Sequence, residues 1–233
     1  MLSIIIPILN EEEAIAGLLQ LLVERSVQPQ ELEFILVDGG SDDCTLNRVE
    51  DYQCKQPNLN IKLIETKRGR ARQLAAGARI ATQPIYYFLH ADSHPPVGFD
   101  GLIIDAVQKK HDAGCFRMRF RSLHPWLLGA SFFTRFNWRA SRGGDQSQYI
   151  TASLYHEIGG YNESLPIYED YDLIHKLYDL GQFYVIPAWL TTSARRYRDK
   201  GVMKLQLIYF KVYWKKKWGA SIAEIHQYYL DNC

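Results

Sequence analysis

Residues 85–96 are IYYFLHADSHPP, an apolar run that ends at His90-Ala91-Asp92. The unbroken apolar run predicts a strand buried on both faces, as in a parallel sheet covered by helices. Ionised aspartate is rarely buried without a partner, and such sheets bind ligands outside the carboxyl ends of their strands. Asp92 is therefore a candidate metal ligand at that edge. The structural alternative is that Asp92 or Ser93 caps a helix that starts after the prolines.

Strand and helix patterns alternate on both sides of this run. The strands predicted in the first half are 3–8, 33–37, 61–64 and 85–89, and the helices are 11–24, 45–52 and 69–80. This alternation predicts an α/β fold, with a mostly parallel sheet and helices on both faces. The weaker patterns of the second half predict strands 114–120 and 183–186, and helices 125–136, 168–180, 202–218 and 221–230.

Composition is typical of one globular domain of 233 residues, and a net charge of +1 gives no reason to expect a nucleic-acid partner. The cysteines lack metal-ligand spacing and are expected to be free thiols, although a Cys44–Cys54 disulfide is an alternative. No apolar run approaches the ~18 residues of a membrane-spanning helix. The first residues lack the basic region of a signal peptide. A cytoplasmic location is therefore expected.

Three acidic residues follow predicted strands of the first half: Glu11, Asp38 and Asp92. Their meeting at one sheet edge would suit a nucleotide, whose hydroxyl and base N–H groups need acceptors and whose diphosphate needs a metal. Arg70 and Gln73 begin a helix on the same edge, where cations and helix N–H groups attract phosphate. Each candidate also has a structural alternative. Glu11 would open a helix, Asp38 would form a turn and Asp92 would cap a helix, and the basic residues around Arg70 would form a solvated loop.

Two later segments add candidates. Glu169 and Asp170 open a predicted helix, and Asp170 is interpreted as a base that takes a proton from an attacking hydroxyl. Acidic residues in a first helical turn also have a structural explanation, since they stabilise the helix dipole. Arg195 and Arg196 are predicted to lie in a loop over the departing diphosphate, because guanidinium groups pair with phosphate oxygens. The alternative is a basic strand edge that prevents sheet pairing.

Seven segments in this order resemble the inverting nucleotide-sugar glycosyltransferases of family 2, and look closest to its small soluble bacterial branch. They are SIIIPILNEEEAI (3–15), FILVDGGSDDCT (34–45), KRGRARQLAAGA (67–78), YYFLHADS (86–93), GGDQSQYI (143–150), YEDYDL (168–173) and TSARRY (192–197). The resemblance implies an A-type glycosyltransferase fold, a nucleotide-diphosphate sugar donor and a divalent cation.

The resemblance also implies roles for individual residues. The implied binders of the nucleotide sugar are Pro7, Leu9, Glu11, Asp38, Arg70, Gln73, Ala91 and Asp92. Asp92 matches the last carboxylate of the D-x-D metal motif, and Asp170, with Glu169 beside it, matches the catalytic base. The residues that match the diphosphate and acceptor segments are Gly144, Asp145, Gln146, Arg195 and Arg196.

Several residues depart from the family pattern. His90 replaces the first aspartate of D-x-D, which favours manganese over magnesium if His90 is a ligand, because manganese accepts imidazole more readily. Gly39 stands where many relatives have a second aspartate, and Ala75 where asparagine is frequent. Ser193 and Tyr197 replace the glutamine and tryptophan of the late motif. Together with the lack of membrane spans, these differences favour transfer of a single sugar over processive synthesis.

The expected function is metal-dependent, inverting transfer of one sugar to a hydroxyl acceptor. A UDP-sugar is the favoured donor, and a lipid is one candidate acceptor. The alternatives are a non-catalytic nucleotide-sugar sensor or scaffold, and a nucleotidyltransferase of similar fold. We expect one domain, with a nucleotide-sugar half at 1–95, an acceptor half at 96–200 and a helical tail at 201–233. The aromatic and lysine-rich segment 209–218 fits an interfacial helix on anionic lipid at the inner membrane face, a packed helix or a homodimer contact.

Overall fold

The computed structural model describes residues 1–143 and 146–232, and a single sheet forms the centre of this part of the chain. Its strands are β1 (Leu2–Ile8), β2 (Leu32–Asp38), β3 (Asn60–Glu65), β4 (Ile85–Phe88), β5 (Ser93–His94), β6 (Ala113–Phe120), β7 (Gln148–Thr151) and β8 (Tyr184–Thr192). The helices are α1 (Ile15–Arg25), α2 (Thr45–Lys55), α3 (Arg70–Ile80), α4 (Phe99–Gln108), α5 (Pro125–Phe133), α6 (Ala152–Glu157), α7 (Glu169–Asp179), α8 (Arg195–Lys200), α9 (Val202–Lys217) and α10 (Ile222–Asn232).

The strand order is β3-β2-β1-β4-β7-β6-β8-β5. Strands β1 to β4 are parallel to one another, and β6 is parallel to β8. Strand β7 is antiparallel to both β4 and β6, and β5 is antiparallel to β8. Strands β1, β4, β6 and β8 therefore all end at the same edge of the sheet. The predicted α/β fold with a mostly parallel sheet is confirmed.

Both faces of the central strands are buried, as their continuous apolar sequences predict. Ile4 and Ile6 of β1 pack on the face that α1 covers, and Ile5 packs on the opposite face against α3. Helix α3 lies very close to the sheet, since a Cβ on Gly77 would stand 2.4 Å from Cγ2 of Ile5. Glycine at this position therefore permits the close approach that brings the start of α3 to the sheet edge.

Helix α1 starts four residues later than predicted. The N–H groups of Glu11 and Glu12 donate to Thr45 Oγ1 (2.8 Å) and Asp43 Oδ2 (3.2 Å) in the loop after β2. These acidic residues therefore join two loops at the sheet edge, and α1 begins only at Ile15.

The helix-cap interpretation of Asp92 and Ser93 is wrong. Residues 93–94 form β5, which pairs with Thr191 and Thr192 of β8. Helix α4 begins later, at Phe99, and its N-cap is Gly98. Asp92 is therefore available for another role.

The second half departs more from the predicted elements. Strand β8 continues to Thr192 instead of ending at Ile186, and α5 ends at Phe133 instead of Phe136. Strand β7 and helix α6 were not predicted. Arg195 and Arg196 open the short helix α8, so the prediction of a loop there was wrong.

Two further expectations concern covalent links and membrane spans. Cys44, Cys54 and Cys115 are free thiols, so the alternative Cys44–Cys54 disulfide is wrong. Cys233 lies outside the described residues. Within residues 1–143 and 146–232, no helix has the length and apolar content needed to cross a membrane.

Candidate active site

The carboxyl ends of β1, β4 and β8 surround a cleft of about 410 Å³, which we call the donor cleft. This arrangement follows from the shared strand direction, because ligand sites of such sheets form beyond the carboxyl ends. The predicted residues that line it are Pro7, Leu9, Glu11, Arg70, Gln73, His90, Ala91, Asp92, Arg195 and Arg196. The structure thus brings together residues that are up to 189 positions apart (196 − 7 = 189).

Asp92 is an exposed carboxylate on the wall of the donor cleft. Its Oδ1 atom lies 3.4 Å from the hydroxyl oxygens of Ser93 and Thr192. Among the described residues, no cluster of three histidine, cysteine or acidic side chains is arranged to hold a metal ion. Asp92 nevertheless suits the mode in which one carboxylate, substrate phosphates and water share a divalent cation.

Glu11 stands on the β1 side of the same cleft. Burial raises the pKa of its carboxyl group, Arg195 opposes that shift, and Asp92 and Asp43 reinforce it. Arg195 Nη2 lies 3.9 Å from Glu11 Oε1. A carboxylate and a cation therefore face each other across the position where a charged donor would enter.

The side chains of Asp38 and Gln73 form hydrogen bonds with the protein backbone. Asp38 is fully buried, does not line the donor cleft, and accepts from the N–H groups of Gly40 (2.7 Å) and Ser41 (2.9 Å). Gln73 Nε2 donates to the carbonyls of Ile8 and Val37, at 2.9 and 2.8 Å. These contacts favour the turn interpretation of Asp38, and its role in nucleoside binding stays a prediction.

Gly39 makes room for the Gln73 amide. A Cβ at position 39 would stand 3.0 Å from Cδ and Nε2 of Gln73. The absence of a second aspartate after Asp38 therefore has a local packing reason, because a longer side chain there would press on this buried amide.

Arg70 is the first residue of α3, and Gly69 before it has a φ of +143°, a conformation that favours glycine. Its Nη2 atom lies 2.7 Å from Asp170 Oδ2, and its Nε atom lies 3.6 Å from Glu169 Oε1. Burial lowers the pKa of Arg70, but Asp170 and Glu169 outweigh burial and raise that pKa above its ordinary value. The guanidinium therefore stays charged and holds the predicted base.

His90 meets the same guanidinium. Nε2 of His90 lies 2.7 Å from Nη2 of Arg70. A guanidinium has only N–H donors, so Nε2 must be the acceptor and carries no proton in this arrangement. That nitrogen is engaged with Arg70, and the role of His90 as a metal ligand stays a prediction.

Asp170 and Glu169 occupy the first turn of α7 and are both buried. The Tyr161 hydroxyl donates to Asp170 Oδ1 at 3.3 Å. Burial raises the pKa of Glu169, the adjacent Asp170 adds to that shift, and Arg70 opposes it. The helix N-terminus also favours negative charge here, so two acids share one cation and one helix dipole.

A larger cavity of about 700 Å³, which we call the acceptor cavity, lies on the other side of Arg70. Glu169 and Asp170 line it, and so does Gln146. Its apolar and aromatic wall includes Met118, Phe120, Phe133, Trp138, Ile167, Tyr168, Tyr209, Val212, Tyr213 and Tyr229. The two hollows share Arg70, Arg196, Tyr197 and Tyr209.

Gln146 belongs to a buried polar cluster beside this cavity. Its Oε1 atom accepts from Arg142 Nη1 at 3.1 Å, and Arg142 Nη2 donates to the carbonyls of Thr134 (2.7 Å) and Phe136 (2.5 Å). Arg142 thereby fastens the segment after α5 to the segment before β7. Gly144 and Asp145 lie outside the described residues.

Arg195 and Arg196 are divided between two environments. Arg195 borders only the donor cleft, whereas Arg196 borders both hollows and donates to the Tyr229 hydroxyl of α10. The C-terminal helices thus help to hold a residue of the donor cleft.

Three residues of the site were missed from sequence: Tyr161, Arg142 and Thr192. Tyr161 follows Gly159 and Gly160, and no local motif connects it with α7. Arg142 lies next to a glycine pair that was interpreted only as a loop. Thr192 is the last residue of a strand that was predicted to end six residues earlier.

Comparison with known proteins identifies the family. The pattern described as "Glycosyl transferase family 2" matches residues 3–162, which contain β1 to β7 and most of the donor cleft. The chain belongs to this family. It is an enzyme family of glycosyltransferases, and the predicted A-type fold is confirmed by solved structures.

Two solved structures of low sequence identity share the fold. TarS 1-349 of S. aureus in complex with UDP-GlcNAc has a TM-score of 0.67 at 20% identity, covering 82% of this chain and 58% of that one. The mannosyltransferase PcManGT of Pyrobaculum calidifontis, in complex with GDP-Man and Mn²⁺, has a TM-score of 0.64 at 20% identity, covering 82% and 56%.

Curated relatives are similar over shorter segments. A dodecaprenyl-phosphate galacturonate synthase of Rhizobium johnstonii is 34% identical over 82 residues, or 35% of this chain and 24% of the relative. An undecaprenyl-phosphate 4-deoxy-4-formamido-L-arabinose transferase of Proteus mirabilis is 32% identical over 109 residues, or 46% and 33%. The chain therefore matches between a quarter and a third of the length of these relatives.

Proposed function

We propose that this glycosyltransferase moves one sugar, with inversion, from a nucleotide-diphosphate sugar to an acceptor hydroxyl. The observation that supports this most strongly is the junction at Arg70, which touches the donor cleft, the acceptor cavity and Asp170. A base at the boundary between the two hollows can reach an acceptor on one side and an anomeric carbon on the other. UDP-sugars are the favoured donors.

In the proposed reaction, Asp170 accepts the proton of the acceptor hydroxyl. The acceptor oxygen forms a bond to the anomeric carbon while the bond from that carbon to the diphosphate breaks. The electron pair leaves with the nucleoside diphosphate. One base is sufficient, because the diphosphate is already a stable anion, whereas glycosidases need a second carboxyl group to protonate the leaving group.

The donor side supplies charge stabilisation. Asp92 would hold a divalent cation, with manganese favoured, and the bound ion would stabilise the negative charge that develops on the diphosphate. Arg195 lines the same cleft and can pair with phosphate oxygens through its planar guanidinium. Arg70 pairs with Asp170 and would hold its carboxyl group in a fixed direction before either substrate arrives.

We propose a lipid-linked acceptor for the aromatic cavity. Its wall offers many apolar surfaces and few charges outside the Arg70 junction, which suits an apolar chain more than a sugar polymer. Two relatives are named for polyprenyl-phosphate substrates, which is consistent with this class. The working location would then be the cytoplasmic surface of a membrane.

We also propose that three successive parts of the chain supply different parts of the site. Residues 1–95 supply most of the donor cleft, residues 96–200 supply the base and much of the acceptor cavity, and the helical tail 201–233 covers the cavity. All three parts would form one glycosyltransferase domain.

The direct test is release of nucleoside diphosphate from a panel of UDP- and GDP-sugars, measured with Mn²⁺ and with EDTA in its place. We expect release from at least one donor with Mn²⁺ and none with EDTA. Binding without release from any donor, with or without candidate lipid acceptors, would favour the sensor or scaffold. Pyrophosphate formation from a nucleoside triphosphate and a sugar phosphate would favour a nucleotidyltransferase.

A further inference from the structure

Helix α9 presents a row of apolar side chains to solvent. Met203, Leu207, Phe210, Trp214 and Trp218 follow one another at steps of three or four residues, so they share one face of the helix and its C-cap. The exposed fractions are 57% for Met203, 57% for Leu207, 58% for Phe210 and 79% for Trp218, whereas Trp214 between them is half-buried. We call these five residues the α9 stripe.

The stripe is not the face that attaches α9 to the protein. Leu205, Ile208 and Val212 are buried and belong to the main hydrophobic core. Their positions fall on the opposite side of the helix from the stripe. A helix that already has a buried face does not need a second apolar face for folding, so the stripe has another use.

Helix α9 has five exposed lysines. Lys204, Lys211, Lys215 and Lys217 border the stripe, and Lys216 lies on the opposite side of the helix. Helix α9 contains no acidic residue. Within the described part of the chain, none of the five forms a salt bridge. Lys217 stands over the Trp214 ring, and Lys215 stands over the Tyr228 ring near Glu224. The surface therefore combines exposed apolar groups with positive charge.

The stripe continues into the rim of the acceptor cavity. Tyr213 lies three residues after Phe210, lines the cavity and is 54% exposed. Phe133 and Trp138 also line the cavity and are about half exposed. Residues that both line a cavity and face solvent mark its mouth. The mouth is therefore aromatic where it adjoins the stripe.

We propose that the α9 stripe and its lysines dock on a bilayer surface that contains anionic lipids. Aromatic and aliphatic side chains enter the interface between head groups and acyl chains, and lysines beside them attract the anionic head groups. The aromatic rim would then face the bilayer. A second copy of the chain fits this surface less well, since pairing two stripes would bring two sets of four bordering lysines together.

This proposal deepens the proposed function, because it names the surface that meets the membrane. It rests on the proposed function only for the direction from which a lipid acceptor would arrive. Docking itself needs no donor, acceptor or turnover. Vesicle binding therefore tests docking alone, and nucleotide release with a water-soluble acceptor tests the chemistry alone. Failure of one leaves the other standing.

The experiment is co-sedimentation of the full chain with phosphatidylcholine vesicles, with and without phosphatidylglycerol. We expect strong binding only when phosphatidylglycerol is present, with a decrease as salt is added. Lys211→Ser should weaken binding roughly fivefold, the value of one lysine near an anionic surface. Phe210→Ser combined with Trp218→Ser should weaken it by about tenfold or more.

The matched controls are Lys110→Ser and Val97→Ser, which change an exposed lysine and a 77% exposed apolar side chain elsewhere. Both should bind vesicles like the unchanged protein. Circular dichroism checks that the variants fold. If the double variant does not fold, the single variant Lys211→Ser still tests the proposal. Absence of binding to anionic vesicles, or equal binding by stripe and control variants, overturns the proposal. A dimer that Phe210→Ser and Trp218→Ser dissociate would assign the stripe to a second copy and overturn it too.

Discussion

The donor cleft and the acceptor cavity open at the same sheet edge and share Arg70, but their walls differ. The donor cleft holds Glu11, Asp92 and Arg195, which are charged groups suited to a diphosphate and a cation. The acceptor cavity is larger, about 700 Å³ against about 410 Å³, and its wall is mainly aromatic and aliphatic. Its acidic groups, Glu169 and Asp170, both pair with Arg70.

This difference indicates how the molecule separates two tasks. In the proposed function, charged side chains on short loops after parallel strands would recognise a charged donor. Aromatic side chains from α5 to α10 would enclose an apolar acceptor. Arg70 is the shared element, because the guanidinium that borders the donor cleft also pairs with Asp170. The following predictions test whether the two regions act separately and whether Arg70 joins them.

Asp170→Asn should produce the largest effect. Loss of the base should lower the rate of sugar transfer by roughly 10²–10⁴-fold, while the affinity for nucleoside diphosphate stays unchanged. The measurement is the transfer rate beside a binding titration with UDP and Mn²⁺. Asp179→Asn, at the exposed end of the same helix, is the control and should transfer normally. Equal loss of binding and transfer in Asp170→Asn would show that the two regions are not separate.

Asp92→Ala should act on the donor side alone. We expect the gain in nucleoside-diphosphate affinity that Mn²⁺ provides to fall by about 10–100-fold, as when a metal site loses its support. Calorimetric titration with and without Mn²⁺ measures this gain. Glu65→Ala removes a carboxylate at the end of β3, outside the donor cleft, and should leave the gain unchanged. If Mn²⁺ still increases the nucleotide affinity of Asp92→Ala to the same extent, Asp92 is not the metal ligand.

Arg70→Met should affect both regions, because it removes a cation that borders both hollows and pairs with Asp170. We expect about tenfold loss in transfer and weaker donor binding together. Arg70 lowers the pKa of Glu169 against burial and the neighbouring Asp170, so its removal raises that pKa further. Glu169 lies beside the proposed base and would keep its proton up to a higher pH, so the acid side of the pH–rate profile should move to higher pH. Arg72→Met, exposed on the same helix, should leave the profile in place; an unshifted profile in Arg70→Met would contradict the junction.

Gln73→Leu should have the smallest effect on activity and act on stability. Its amide donates to two buried carbonyls, so the substitution should lower the free energy of unfolding by about 1–3 kcal/mol. Transfer measured below the unfolding transition should be unchanged. Gln182→Leu, on the surface, is the control for urea denaturation. A loss of donor affinity without a loss of stability would assign Gln73 to the donor instead.

Sequence patterns predicted the donor region better than the acceptor region. Strands β1, β2 and β4 are buried on both faces, so their apolar runs were visible, and parallel strands bring Glu11 and Asp92 to one edge. Asp38 and Gln73 show the limit of this argument. A residue that directly follows a strand is predicted to lie near the sheet edge. Its position does not predict whether its side chain faces a ligand or forms hydrogen bonds with the protein backbone.

The acceptor region depends on contacts that no local pattern reveals. Strand β8 was predicted to end at Ile186, but it continues past Pro187 to Thr192, and its register with β6 shifts between Phe116 and Arg117. Strand β7 has only four residues and pairs with β4 and β6, neither of which adjoins it in the chain. The contact of Arg70 with Asp170 likewise depends on how α7 docks beside α3.

The most direct test of the account is the position of Mn²⁺ in a crystal of the protein with UDP, located by anomalous scattering. We expect one manganese peak in coordination contact with Asp92 and the diphosphate, inside the cleft that Glu11 and Arg195 border. The aromatic cavity beyond Arg70 should contain neither the ion nor the nucleotide. Manganese and nucleotide bound among the aromatic side chains, away from Asp92, would contradict the division between the two regions.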